Sequence, residues 1–197
     1  MTTQGLFEDA LAAVKAWHGA LPAASAFCQW PDNLRYEPRS PHTLPATDLV
    51  KTAPGNTSPV SIHVVRAFQA LALYLEWRLT YTADEVGQHF LDNFGWFELA
   101  GPTGHFITHQ TRITVGYWGP GLDYPRHQHR AEELYTVLSG SGLFKADGVP
   151  DRILGPEDTC LHLSDQPHAL ITQDSPILTL VFWRGDGLGD APALSPS

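Results

Sequence analysis

The sequence predicts a mainly β fold: one antiparallel, jelly-roll-like barrel preceded by an N-terminal helical extension. Three observations carry this reading. The spacing of apolar residues changes near residue 95, from helical to strand-like. Beyond that point, short apolar runs are separated by Gly, Pro and Asp breaks, the pattern of an antiparallel sandwich or barrel. At 197 residues the chain has room for one domain with a sizeable core and is short for two.

The elements follow in order. Leu6, Leu11, Val14 and Trp17 recur at helical spacing and predict a first helix, ended by Gly19 and Pro22. A second short helix is expected over 23–30, stopped by Pro31. Residues 31–59 carry Pro31, Pro38, Pro41, Pro45, Pro54 and Pro59, and read as a long irregular connection. Ser58-Pro59 then supplies an N-cap and a first-turn proline for a helix over 59–80. Its Val64, Val65, Phe68, Leu71, Ala72, Leu75 and Leu79 form one broad apolar face. Residues 84–94 predict a further helix, with Gly95 after it.

Strands are expected at 96–99, 108–118, 132–138, 142–146, 152–154, 159–163, 168–172 and 177–183. Gly140-Ser141-Gly142 and Asp147-Gly148 are hairpin-type breaks between them. The layout is thus a helical extension (1–94), a barrel (95–185) and a Pro- and Gly-rich tail (186–197) expected to fray. The extension is expected to pack on the barrel or to offer the surface of a homodimer.

Composition excludes some partners. The formal net charge is -9 and no Lys/Arg cluster offers a footprint for phosphates, which argues against nucleic acid. No run of 18 apolar residues suggests a membrane span, and no basic-then-apolar start suggests a signal peptide. Cys28 and Cys160, far apart in the chain, are expected to be free thiols of a cytoplasmic protein.

The densest chemistry lies between Gly121 and Gly140. On an extended segment His127 and His129 point to the same side, because side-chain direction alternates with period two. Glu133 opens the next strand and Tyr135 shares its face, so all four can meet at one interior point. His168, after Pro167, is the candidate for a further ligand. Imidazoles with one carboxylate suit a divalent transition metal such as zinc, iron(II) or manganese, and do not distinguish among them. A lone histidine is usually only a polar side chain, and His18, His42, His63 and His89 are read that way. Glu132 has the wrong strand parity, His162 reads as a neighbour of the site or a core-edge residue, and His105 and His109 read as structural.

These residues spell the first signature of the cupin superfamily: Gly121, five residues, His127-x-His129, three residues, Glu133, six residues, Gly140. The second cupin signature is weak here, and only its histidine, His168, survives. The run Gly121-Leu-Asp-Tyr-Pro-x-His-x-His-x-Ala-Glu-Glu-Leu-Tyr135, behind a helical extension, resembles the cupin-type dimethylsulfoniopropionate (DMSP) lyases of marine bacteria. That resemblance implies a metal on His129, Glu133 and His168, with His127 as a further ligand or a substrate-orienting group. It implies Tyr135 as catalytic base, Tyr124 in the pocket, and cleavage of DMSP to dimethyl sulfide and acrylate.

A small zwitterionic substrate also needs a wall for its sulfonium, and Tyr124, Trp183, Trp118 and Tyr117 are the aromatic candidates. Strand parity forbids Tyr117 and Trp118 from both facing inward. Two other readings use the same ligands: an Fe(II) dioxygenase consuming O₂, and a ligand-binding cupin without catalysis.

Overall fold

The computed structural model describes residues 2–195. It opens with helix α1 (Thr3–Ala20), whose N-cap Thr2 accepts a hydrogen bond from the Gly5 amide, and a short α2 (Pro22–Phe27). A two-residue strand β1 (Arg35–Tyr36) follows, then α3 (Pro45–Thr52). The expected irregular connection over 31–59 therefore contains a helix. Pro45 begins that helix rather than breaking it, since the first helical amide needs no partner, and Thr47 Oγ1 accepts from the Leu44 amide at 2.9 Å.

Helix α4 (Ser61–Leu71) ends in a 3₁₀ turn (Ala72–Tyr74), well short of the expected residue 80. The Trp77 indole donates to the freed Ala72 carbonyl at 2.8 Å, and Trp77 and Arg78 run extended against His42 and Trp96. Leu75 is fully buried in that extended stretch, so its helical spacing is coincidental. Ser58 does cap the turn leading into α4, accepting from the Val60 and Ser61 amides. The helix expected over 84–94 is two pieces, α5 (Ala83–Val86) and α6 (Gln88–Asn93), split at Gly87, where φ is +81°.

The strands are β2 (Phe94–Gly101), β3 (Phe106–Ile107), β4 (Arg112–Trp118), β5 (Asp123–Gln128), β6 (Glu132–Gly140) and β7 (Gly142–Ala146). They continue as β8 (Val149–Leu154), β9 (Thr159–His162), β10 (His168–Ile171), β11 (Ile177–Arg184) and β12 (Ala193–Leu194). Two sheets result, ordered β1-β3-β2-β4-β11-β6-β9 and β12-β5-β10-β7-β8. The fold is mainly β, a single cupin barrel with a helical extension, in the class the sequence predicts. Within the expected tail (186–197), of which 196–197 lie outside the described residues, Ala193 and Leu194 pair with β5 and the Ser195 amide donates to the Arg126 carbonyl.

The larger sheet is buried on both faces, which explains why β4, β6 and β11 read as nearly continuous apolar runs. Its outer residues Ile113, Val115, Tyr117, Leu134, Leu138, Leu178, Leu180 and Phe182 share one core with the helices, including Val14, Trp17, Val65 and Phe68. Its inner residues Trp118, Tyr135, Val137 and Val181 share the second core with Tyr124, Phe144 and Leu170. Parity is thereby resolved: Trp118 faces the barrel interior and Tyr117 the helices. Gly140, the last residue of the signature, has φ +74°, and a Cβ there would lie 1.7 Å from the Pro176 carbonyl oxygen, so only glycine lets β6 close against that loop.

Candidate active site

Four elements converge inside the barrel. His127 comes from β5, His129 from the turn after it, Glu133 and Tyr135 from β6, and His168 from β10, where it pairs directly with His127. Each of His127, His129, Glu133 and His168 offers a ligand atom, and these atoms all lie within 4.8 Å of one another. All four residues are buried. His168 Nε2 lies 2.8 Å and His129 Nε2 3.3 Å from Glu133 Oε1.

The backbone sets the imidazole tautomers. His127 Nδ1 lies 2.8 Å from the Pro125 carbonyl, His129 Nδ1 2.7 Å from that of Ala131, and His168 Nδ1 2.8 Å from that of Gln166. A carbonyl only accepts, so each Nδ1 carries the proton and each Nε2 is left with a lone pair. His129 Nε2, His168 Nε2 and Glu133 Oε2 are buried and have no hydrogen-bond partner. Buried polar atoms without a partner are costly, and a cation at their focus would satisfy all three. The donor set thus fits a divalent transition metal.

Electrostatics agree. Burial, then the neighbouring His168, pushes His127 down to about 3, so it stays neutral at ordinary pH. Burial likewise lowers His168. Burial alone would raise Glu133, but His129 and His168 beside it hold the carboxyl well below its usual range. For His129, burial is outweighed by the charge of the neighbouring Glu133, which raises it.

His162, ambiguous in the sequence, belongs to the site's support. It sits on β9 opposite Glu133, with Nδ1 3.0 Å from Glu133 Oε1 and its ring stacked on His168 at 3.9 Å. His105 lies elsewhere, stacked on Phe7 in the helix-side core, and His109 is exposed.

Beside the imidazoles is a cavity of about 340 Å³, lined by His127, His129, Tyr135, Tyr124, Trp118 and Trp183 among others. Tyr124 packs among Phe94, Trp118 and the His127 ring, at 5.4, 5.3 and 4.6 Å. Trp183 has His129 against its ring at 4.5 Å and the Arg112 guanidinium at 5.4 Å. Burial and the Glu133 charge push the Tyr135 phenol well above its usual value; burial and the neighbouring Tyr81 do the same to Tyr124. Sequence reasoning missed Arg112 and Trp96, which also line the cavity. Inward parity on β4 and β2 was the signal that pointed to them.

A sequence model of the dimethylsulfoniopropionate lyase family matches residues 23–179. The chain belongs to that family. It is 39% identical over 193 residues to dimethylsulfoniopropionate lyase DddQ of Ruegeria pomeroyi, covering 98% of this chain and 96% of that protein. A crystal structure of DMSP lyase DddQ from R. pomeroyi superposes with a TM-score of 0.92, covering 97% of this chain and 96% of the other. A chain from the crystal structures of DMSP lyases RdDddP and RnDddQII superposes with a TM-score of 0.97 at 49% identity, covering 99% and 100%.

Proposed function

We propose that this chain is a carbon–sulfur lyase that cleaves DMSP to dimethyl sulfide and acrylate by β-elimination. His129, Glu133 and His168, with His127, would hold one divalent transition metal, and Tyr135 would be the base. The observation that carries this reading is the meeting of three imidazoles and a carboxylate within 4.8 Å, at the wall of a cavity that His127, His129 and Tyr135 line, in a DMSP lyase family member.

The hard step is removing a proton from the carbon next to a carboxylate; the sulfonium is already a good leaving group. When bound, the metal supplies positive charge for the enediolate-like charge that develops on the substrate carboxylate, and it favours the phenolate of Tyr135. That second effect is needed, because burial and Glu133 otherwise keep this phenol protonated. Tyr135 takes the α-proton, the C–S bond breaks, its electron pair leaves with dimethyl sulfide, and acrylate remains. The buried rings of Tyr124 and Trp118 present aromatic faces to the sulfonium.

Elimination consumes no oxidant. The test is anaerobic incubation of the protein with DMSP, after metal removal and after reloading with zinc, iron(II) or manganese separately. Dimethyl sulfide and acrylate in equal amounts, only after reloading, are expected. Product that appears only with O₂, or none with any metal, would reject the proposal and favour a dioxygenase or a binding protein.

A further inference from the structure

The inward row of β4 runs Arg112, Thr114, Gly116, Trp118, and all four line the cavity. The row puts a cation at one end and, at the other, an aromatic ring that folds back over Gly116 toward the middle of the row. Strand register extends the two ends into layers. Trp118 pairs with Phe94 of β2, whereas Arg112 pairs with Trp183 of β11, which in turn pairs with Glu133 of β6. One layer therefore holds Arg112 and a candidate metal ligand. The other holds Phe94 and Trp118, with Tyr124 packed against both.

Arg112 is built into its end of the cavity. It is 9% exposed, its Nε donates to Glu98 at 2.9 Å, and its guanidinium sits 5.2 Å from the Trp96 ring and 5.4 Å from the Trp183 ring. The Glu98 carboxylate also accepts from the Thr103 amide and hydroxyl, which locks the arginine's anchor in place. Among the described residues neither terminal nitrogen of Arg112 has a protein acceptor, so its remaining donors are free to face the cavity. Nearby Arg78 differs, because its terminal nitrogens are spent on Glu76 and Thr103. Phe94, Trp118 and Tyr124 carry no formal charge and are nearly fully buried.

We propose that the cavity is charge-polarised and sets substrate direction: Arg112 takes the carboxylate of a zwitterion beside the metal ligands, and Phe94, Trp118 and Tyr124 take its onium end. This rests on the lyase reading of the site. A sulfonium cannot share the Trp183 face with a guanidinium without like-charge repulsion, so the cation wall expected at Trp183 moves to Trp118. Tyr135 pairs through Val181 with Thr114, one inward step from the arginine layer, and so stands between the two ends where the α-carbon would lie.

The test titrates the metal-loaded protein with two half-substrates, propionate and trimethylsulfonium, by calorimetry. Arg112→Gln is expected to weaken propionate by about 10- to 100-fold, the worth of a charge-assisted hydrogen bond. It should leave trimethylsulfonium within about twofold and raise KM for DMSP more than it lowers kcat. Arg112→Lys, which keeps the charge near Glu98, should recover part of the propionate affinity. Trp118→Leu should do the reverse, weakening only the cation. Unchanged propionate binding in Arg112→Gln, or equal loss of both probes, would overturn the proposal; equal loss would mean that Arg112 merely holds the fold. If both probes behave as expected but no DMSP is cleaved, the lyase reading falls and the charge layout stands. If DMSP is cleaved but Arg112→Gln binds propionate normally, the layout falls and the lyase stands.

Discussion

Glu133 Oε1 is approached by three imidazoles, yet only His162 presents a protonated Nδ1 to it. His162 Nε2 is then the acceptor for the Cys160 thiol at 3.4 Å, so the ring has one possible tautomer and one orientation. Such an orienting partner is typically worth about 10- to 100-fold in metal affinity. His162→Phe keeps a ring against His168 and removes the donor; competition with a chelator should show a loss of that size. Affinity equal to wild type would mean that Glu133 is held by β6 alone. His105 allows a second test at this scale. Burial pushes it down to about 4 from 6.5, and its Nε2 accepts from the Glu76 amide. Between those values the unfolded chain binds the extra proton, so this contribution is full above pH 6.5 and is lost as pH falls toward 4. Urea midpoints at pH 7.5 and 5 should differ less in His105→Gln than in wild type; equal differences would refute the assignment.

At the scale of elements, the helical layer is tied to the barrel by particular bonds. Trp17 of α1 is fully buried and donates to Thr136 Oγ1 at 2.9 Å, and Thr136 donates in turn to the Leu180 carbonyl at 2.8 Å. One indole therefore joins α1 to both β6 and β11, the strands that carry Glu133 and Trp183. Trp17→Ala should cost about 3–5 kcal/mol in urea unfolding. Trp17→Phe, which loses chiefly the hydrogen bond, should cost about 1 kcal/mol beyond the lost ring area. Equal, small losses would show that the helices contribute little to holding the larger sheet. Elements also mark where the sequence was readable. The alternation of β6 and the His127-x-His129 pair report directly on which side faces inward. Leu75 and Leu79 kept helical spacing after the helix had ended, yet Leu75 is buried from an extended stretch and Leu79 is exposed, so the spacing reported on neither a helix nor a common face. Pro45 looked like a breaker because the same residue that stops a helix also starts one.

On the scale of the whole molecule, the site is assembled from contacts distant in sequence. The first cupin signature was legible because one strand–turn–strand contributes His127, His129, Glu133 and Tyr135 together. His168 was harder to read, since its place depends on β10 pairing with β5. Arg112 was the hardest to read: inward parity on β4 could place it on the cavity side, but what it faces there depends on the registers of β4 with β2 and β11, which no local pattern in the chain specifies. The proposed chemistry turns on Tyr135, which lines the cavity with the candidate ligands His127 and His129 and the rings of Trp118 and Tyr124. Its direct test is the steady-state kcat of Tyr135→Phe on DMSP, with bound metal per chain measured on the same sample. A fall of about 10²- to 10⁴-fold, the usual worth of a general base, is expected at unchanged metal content. A Tyr135→Phe enzyme that keeps its metal and turns over DMSP at the wild-type rate would contradict it.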